Sequence, residues 1–185
     1  MKNWRFVFVA VAGGFIWTAA AQDTNDLRTE LGQFENRTGT IIVKGYGQVG
    51  SVAAGAVEIS VRCKETTDVS LGRKVYGLSI GINSNGSPLE RIYVDEDEIT
   101  GLLGGLDYLV KISYDVTALS GFEASYTTKA GLQVFAHSIR KEGGVQFSLQ
   151  GNNPPRVPLS SIQLSQLQGL IGQARKNLEA IKSGK

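Results

Sequence analysis

Cysteine and histidine are almost missing from this chain. Its 185 residues hold one of each, Cys63 and His137. A single cysteine closes no internal disulfide, so a stapled framework is excluded. One thiol and one imidazole are too few for a structural zinc site built on soft ligands. No serine or cysteine nucleophile motif surrounds His137. Its strand parity with Gln133, Phe135 and Ile139 predicts a solvent-facing sheet position. Both tryptophans, Trp4 and Trp17, fall in the N-terminal segment. Long apolar runs are missing too. Residues 6–17 carry no charge but fall short of the roughly 20 residues that cross a bilayer. No later stretch is long and apolar enough, so no membrane span is expected.

A dominant charge sign is also lacking. The chain has 19 basic and 17 acidic residues. Residues 1–21 read as a secretory signal peptide: Lys2 and Arg5 open it, an apolar run follows, and Ala19-Ala20-Ala21 offers a cleavage site before Gln22. No cysteine follows that site, which argues against a lipid anchor. Cleavage removes Lys2 and Arg5 and leaves 17 basic residues against 17 acidic. A neutral chain lacks the basic footprint of nucleic-acid binding, so that partner is not expected. The expected address is the periplasm or the medium outside the cell.

What is present is pattern. Residues 22–38 form a polar lead-in whose Leu27, Leu31 and Phe34 are weakly spaced, as a short helix or a disordered approach. Residues 39–117 read as a first unit. Its strands are expected near 40–46, 57–64, 74–82 and 89–94, and Asn85-Gly86 marks a hairpin between the last two. In 57–64, Val57, Ile59, Val61 and Cys63 share one face, and Glu58, Ser60, Arg62 and Lys64 share the other. Cys63 therefore points inward, as a small buried apolar residue. A glycine-rich stretch from Gly45 to Gly55 is a loose connection or a bulged bend. A helix follows from Asp95, striped by Ile99, Leu102, Leu103, Leu106 and Leu109. Gly101, Gly104 and Gly105 weaken it, and close approach to a sheet accounts for them. Residues 110–116 also alternate like a strand, so the helix end stays open.

Residues 118–182 form the second unit, packed with the first as one domain. Strands are expected near 122–128, 132–140 and 145–149, and 156–159 could add a short edge strand. The loop 151–155 is stiffened by Pro154 and Pro155. A last helix starts at Ser160, striped by Leu164, Leu167, Ile171, Ala174 and Leu178, with Leu170 and Ile181 widening it. The fold class is therefore α+β: two antiparallel sheet units, each followed by an amphipathic helix that covers one sheet face.

The two units share a grammar 65 positions apart. Arg91 and Arg156 stand four residues before the caps Asp95 and Ser160. Glu98 and Gln163 complete capping boxes. Apolar residues follow at four, seven and eleven after each cap. Internal duplication is one origin for this match. Convergence of any strand–loop–helix unit on the same capping physics is the other. The order of four strands then a helix, used twice over about residues 39–178, resembles the Whirly and PUR-alpha group of single-stranded nucleic-acid-binding folds. That resemblance implies fold only. The stretches 126–131 and 91–106 are similar to uncharacterised exported bacterial proteins, a likeness that implies no activity for particular residues.

Chemistry is sparse. The run Asp95-Glu96-Asp97-Glu98 lacks the EF-hand spacing and its glycine. It fits a helix N-terminus loaded with acids to match the dipole. Gly45-x-Gly47-x-x-Gly50 matches a dinucleotide fingerprint in letters, but no helix or βαβ unit surrounds it. Asn36 and Asn85 begin glycosylation sequons, meaningful only on a eukaryotic secretory route. No cofactor or metal is expected, and no catalytic residue stands out. The leading reading is a non-enzymatic binding or interaction module acting through a sheet face. Lys44, Tyr46, Arg62, Lys64, Tyr93 and Phe135 are the candidate contacts. The alternatives are a single-stranded nucleic-acid-binding module and a hydrolase using a carboxylate or His137. Open sheet edges leave room for a homodimer.

Overall fold

A computed structural model describes residues 27–139, 144–153 and 156–184. The segment read as a signal peptide, and Pro154 and Pro155, lie outside these residues. Helix α1 (Glu30–Glu35) comes first. Four strands follow: β1 (Ile42–Ala54), β2 (Val57–Asp68), β3 (Arg73–Ser84) and β4 (Ser87–Asp95). Then come α2 (Glu96–Lys111), four more strands, β5 (Glu123–Thr127), β6 (Gln133–Ile139), β7 (Gly144–Gln150) and β8 (Val157–Leu159), and α3 (Ser161–Lys182). Each set of four strands is an antiparallel meander, ordered β1-β2-β3-β4 and β5-β6-β7-β8. The fold is α+β, with a helix after each sheet.

Local chemistry accounts for most boundaries. Asn85 and Gly86 take φ of +49° and +78° and turn β3 into β4, the positive values a two-residue hairpin needs. Ser160 accepts from the Gln163 N–H at 3.2 Å, and Gln163 Oε1 accepts from the Ser160 N–H at 2.8 Å. Asp95 and Glu98 form the matching box on α2, where Glu98 Oε2 accepts from the Asp95 N–H at 3.3 Å. The glycine-rich stretch is not a loop. It continues β1 to Ala54, with the register slipping between Gln48 and Gly50 as a bulge. The residues left between helix and strand at 110–116 end α2 at Lys111 and add a 3-10 turn, Tyr114–Val116. No strand forms there.

The inner faces of both sheets and the stripes of α2 and α3 make one core, from Val52 to Leu178. The six residues at matching offsets, Ile99, Leu102, Leu106, Leu164, Leu167 and Ile171, are all buried. The helices do not simply cover their own sheets. α3 crosses β1 and β2 of the first sheet. There Cys63 Sγ donates to the Ala174 carbonyl at 3.4 Å, and Gln163 Nε2 donates to the Ala53 carbonyl at 2.6 Å. α2 meets β5 of the second sheet. A Cβ on Gly101 would lie 2.8 Å from Tyr126 Oη, and one on Gly105 would lie 2.3 Å from Tyr126 Cδ2. Those two glycines permit the close approach; Gly104 has nothing within 4 Å.

The lead-in takes the first of its two expected forms, a short helix, in a place that the strand pattern does not contain. Its residues 30–35 are helical and cover one end of the outer face of the first sheet. Thr29 caps α1, accepting from the Gly32 N–H at 3.0 Å. Leu31 and Phe34 join Val75 and Tyr93 in a second, smaller core. Gly77 makes this possible, since a Cβ there would sit 2.6 Å from Leu31 Cδ1.

Candidate functional site

Strand parity sets Lys44, Tyr46, Lys64 and Tyr93 on the outer face of the first sheet, and α1 covers Lys64 and Tyr93. Lys64 was expected in solvent. Its side chain instead has no exposed surface. Tyr93 is also buried, at 3 % exposure. The sequence reading of both is corrected by α1, a layer that the strand pattern does not contain. Phe135, the third residue expected in solvent, is buried on the other sheet, with the Arg156 guanidinium 3.8 Å from its ring centroid. Arg62 stays exposed and its Nε donates to Gln48 Oε1 at 2.8 Å.

These four residues form one network around a residue that sequence reasoning missed, Glu35. Lys64 Nζ is ion-paired with Glu35 Oε1. It also donates to Tyr46 Oη at 2.9 Å and to Tyr93 Oη at 3.3 Å, and it lies 4.3 and 4.4 Å from the centroids of those two rings. An ammonium has three N–H groups, and these three acceptors use them all. Tyr93 Oη in turn donates to Glu35 Oε2 at 2.9 Å, and Lys44 Nζ reaches the same oxygen at 2.9 Å. Burial pushes the Glu35 carboxyl up, but the hydrogen bonds from Lys64 and Lys44 outweigh it and hold the group below its ordinary value. The cluster is a closed ionic joint between α1, β1, β2 and β4. Thr29 as a cap, the Leu31 and Phe34 spacing, and a glycine inside β3 are the sequence signals that could have found it.

The connector after α1 is pinned as well. Asp68 accepts from Thr40 Oγ1 at 2.7 Å, from Arg37 Nη1 at 3.0 Å and from the N–H groups of Ser70 and Leu71. The Thr40 bond is the largest of the influences that hold its carboxyl low.

The acidic run is likewise committed. Asp95 accepts from the N–H groups of Glu30 and Leu31 at 2.8 and 3.1 Å, so it serves the first turn of α1. Glu96 bonds Lys182 at 2.6 Å, Asp97 bonds Lys129 at 2.9 Å, and Glu98 Oε1 accepts from the Lys129 N–H at 2.7 Å. These contacts tie α1, α3 and the β5–β6 turn to the start of α2. Asp95, Glu96, Asp97 and Lys182, with Glu30 and Arg73, line a cleft of about 660 Å³. Among the described residues no three carboxylate, thiol or imidazole groups gather as a metal site, and no helix is long and apolar enough to cross a membrane.

Glu90, on the inner face of β4, plays the same kind of part between the units. It accepts from Asn152 N and Nδ2 at 2.7 and 3.0 Å and from Asn153 N at 3.3 Å. Two of the surfaces not consumed in this way stand out among the described residues. One is the first half of β1, an edge strand whose neighbourhood exposes Ile41, Val43, Tyr46 and Val69. Beside it runs a groove of about 260 Å³ walled by Gly45, Gly47, Cys63, Leu178 and Ile181. The other is the outer face of the second sheet, around His137 and Ser148. Set beside protein-family models, curated proteins and solved structures, the chain matches none of them.

Proposed function

We propose that this is an exported, non-enzymatic interaction module whose contact is the open edge of β1, with a second copy of the chain as partner. The observation that carries the reading is the contrast between the two kinds of polar and apolar surface. Lys64 is paired with Glu35, and the acids of residues 95–98 with Lys182, Lys129 and the first turn of α1, so their chemistry is spent on the fold. Ile41, Val43 and Val69 are left exposed, at 67 %, 52 % and 51 %. An edge strand also keeps half of its backbone groups unpaired, which is a template for another strand.

The sequence of β1 suits self-pairing. A two-fold axis at Gly45 sets Lys44 opposite the partner's Tyr46, so no like charges meet across the seam. It also sets Val43 opposite the partner's Gly47, where no side chain is in the way. The bulge at Gln48 limits the pairing to the first half of the strand. Sedimentation velocity over a range of concentrations tests this. Wild type should show a concentration-dependent dimer. Lys44→Pro, which removes a backbone donor that faces away from β2 and stiffens the edge, should remain a monomer. A wild-type chain that stays monomeric throughout, or a dimer unmoved by the substitution, refutes the edge as the contact.

A further inference from the structure

The face of β1 that looks toward α3 carries side chains that project and, just beyond them, positions with none. Gly47 stands opposite Cys63 in the ladder, and Cys63 Sγ donates to the Ala174 carbonyl of α3, so this pair lies on the helix side of the sheet. Side chains alternate along a strand, which puts Val43 and Gly45 on the same side as Gly47. Val43 is exposed, so α3 does not cover it. Gly45 and Gly47 help to wall the groove of about 260 Å³ beside the end of α3, where Leu178 and Ile181 face them. That space is open. Within 4 Å, a Cβ on Gly47 would meet only Cys63 Cβ, at 3.7 Å. Ile181 is itself half exposed. An apolar knob, Val43, and an apolar hole at Gly47 thus sit two residues to either side of Gly45.

A two-fold contact needs a surface complementary to itself, and this edge has that form. The Val69 N–H donates to the Ile41 carbonyl, so the backbone groups of Val43, Gly45 and Gly47 point at β2, and those of Ile42, Lys44 and Tyr46 point away. An added antiparallel strand bonds to the second set. With the axis at Gly45, Lys44 and the partner's Tyr46 exchange backbone hydrogen bonds. Val43 and the partner's Gly47 then form a non-hydrogen-bonded pair, the closer of the two kinds. An axis at Lys44 would oppose two like charges. One at Val43 would leave Gly47 beyond the end of the ladder, because β1 begins at Ile42.

Residues opposite each other in a ladder send their side chains to the same face. Each Val43 therefore enters the groove of the other copy, over Gly47 and against Ile181. We infer that the groove between β1 and α3 is the receptacle for Val43 of a second copy, with two such contacts in each dimer. This rests on the β1 edge being the contact, and it adds the register and the part that the end of α3 plays.

Disulfide trapping reads the register in the full chain. In a chain carrying both Val43→Cys and Gly47→Cys, the new thiols face each other across the seam with Cα atoms about 4.5 Å apart, within disulfide reach. Along one strand the same two positions are about 13 Å apart and cannot close. Mild oxidation should link the double variant into a covalent dimer and leave both single variants unlinked. A second measurement needs no cysteine. Ile181→Ala should raise the dimer Kd roughly tenfold in sedimentation. Val43→Ala should add little in that background, since both changes remove one contact. The inference is overturned if the double variant does not link while Lys44→Pro still converts a wild-type dimer to monomer; the edge is then the contact in another register. Fully additive effects at residues 43 and 181 overturn it as well. A wild-type chain that stays monomeric removes the edge and the receptacle together.

Discussion

Lys64 and Glu35 form an ion pair that joins strand β2 to helix α1, and the lysine side chain has no exposed surface. Breaking a buried pair from one side costs about 3–5 kcal/mol, because the remaining charge is left without a partner. Here α1 can lift and let water reach Lys64, so the loss for Glu35→Gln should be about 2–4 kcal/mol, below the top of that range. Chemical denaturation measures it. Hydrogen exchange should show the amides of residues 30–36 losing protection while the β2–β3 ladder keeps its own. A fully protected α1 in the variant would contradict the joint described above.

The same carboxylate sets a pH dependence with a definite sign. Glu35 is held below its ordinary value in the folded chain. A depressed carboxyl stabilises the fold above the unfolded value, about 4.3, and that contribution disappears as pH falls through the lower folded value. Wild type should therefore exceed Glu35→Gln in stability at neutral pH, and the difference should shrink in acid. Comparing denaturation of the two chains from neutral to acidic pH isolates this group from Asp68 and Glu65, which are also held low. A constant difference across the range would show that Glu35 is not the titrating partner.

Two glycines in α2 should respond to alanine with opposite signs. Gly104 is exposed with open space around it, so Gly104→Ala should stabilise by about 0.5–1 kcal/mol through helix propensity. Gly105→Ala gains the same propensity but drives a methyl into the root of the Tyr126 ring, and should destabilise. Thermal melts of the two variants separate packing from propensity. Equal and stabilising effects would mean that α2 and β5 are not in close contact.

Glu90 holds the loop after β7 against the first sheet. Glu90→Gln replaces an acceptor oxygen with a donor amide facing three donors, so a loss of about 2–3 kcal/mol is expected. Gly151→Ala should act similarly, because its Cβ would fall 1.9 Å from Glu90 Oε2. Exchange of the Asn152 and Asn153 amides should accelerate in both variants. Unchanged exchange would deny Glu90 its role as the link.

Legibility in the sequence followed the range of each interaction. Alternation along β2 placed Cys63 inward and Lys64 outward, and both faces are as the parity has them. What parity leaves open is whether an outward face meets water. At Lys64 it meets α1, whose Glu35 lies 29 residues earlier in the chain. Phe135 repeats the lesson, since Arg156 comes from the far side of two strands. The glycine stretch from Gly45 read as a connection or a bulged bend because glycine disfavours strands; the bulge lies between Gln48 and Gly50, and the ladder with β2 holds the rest extended.

Asp95 and Ser160, their partners three residues on, and the apolar stripes that follow were determined by the sequence alone. A cap is satisfied within one turn, and a stripe depends only on helical period. The crossing of α3 onto the first sheet, the approach of α2 to Tyr126 and the burial of Lys64 under α1 were decided by tertiary structure. Each depends on which surface is left for another to cover, and that is settled only when distant segments compete for the same apolar area.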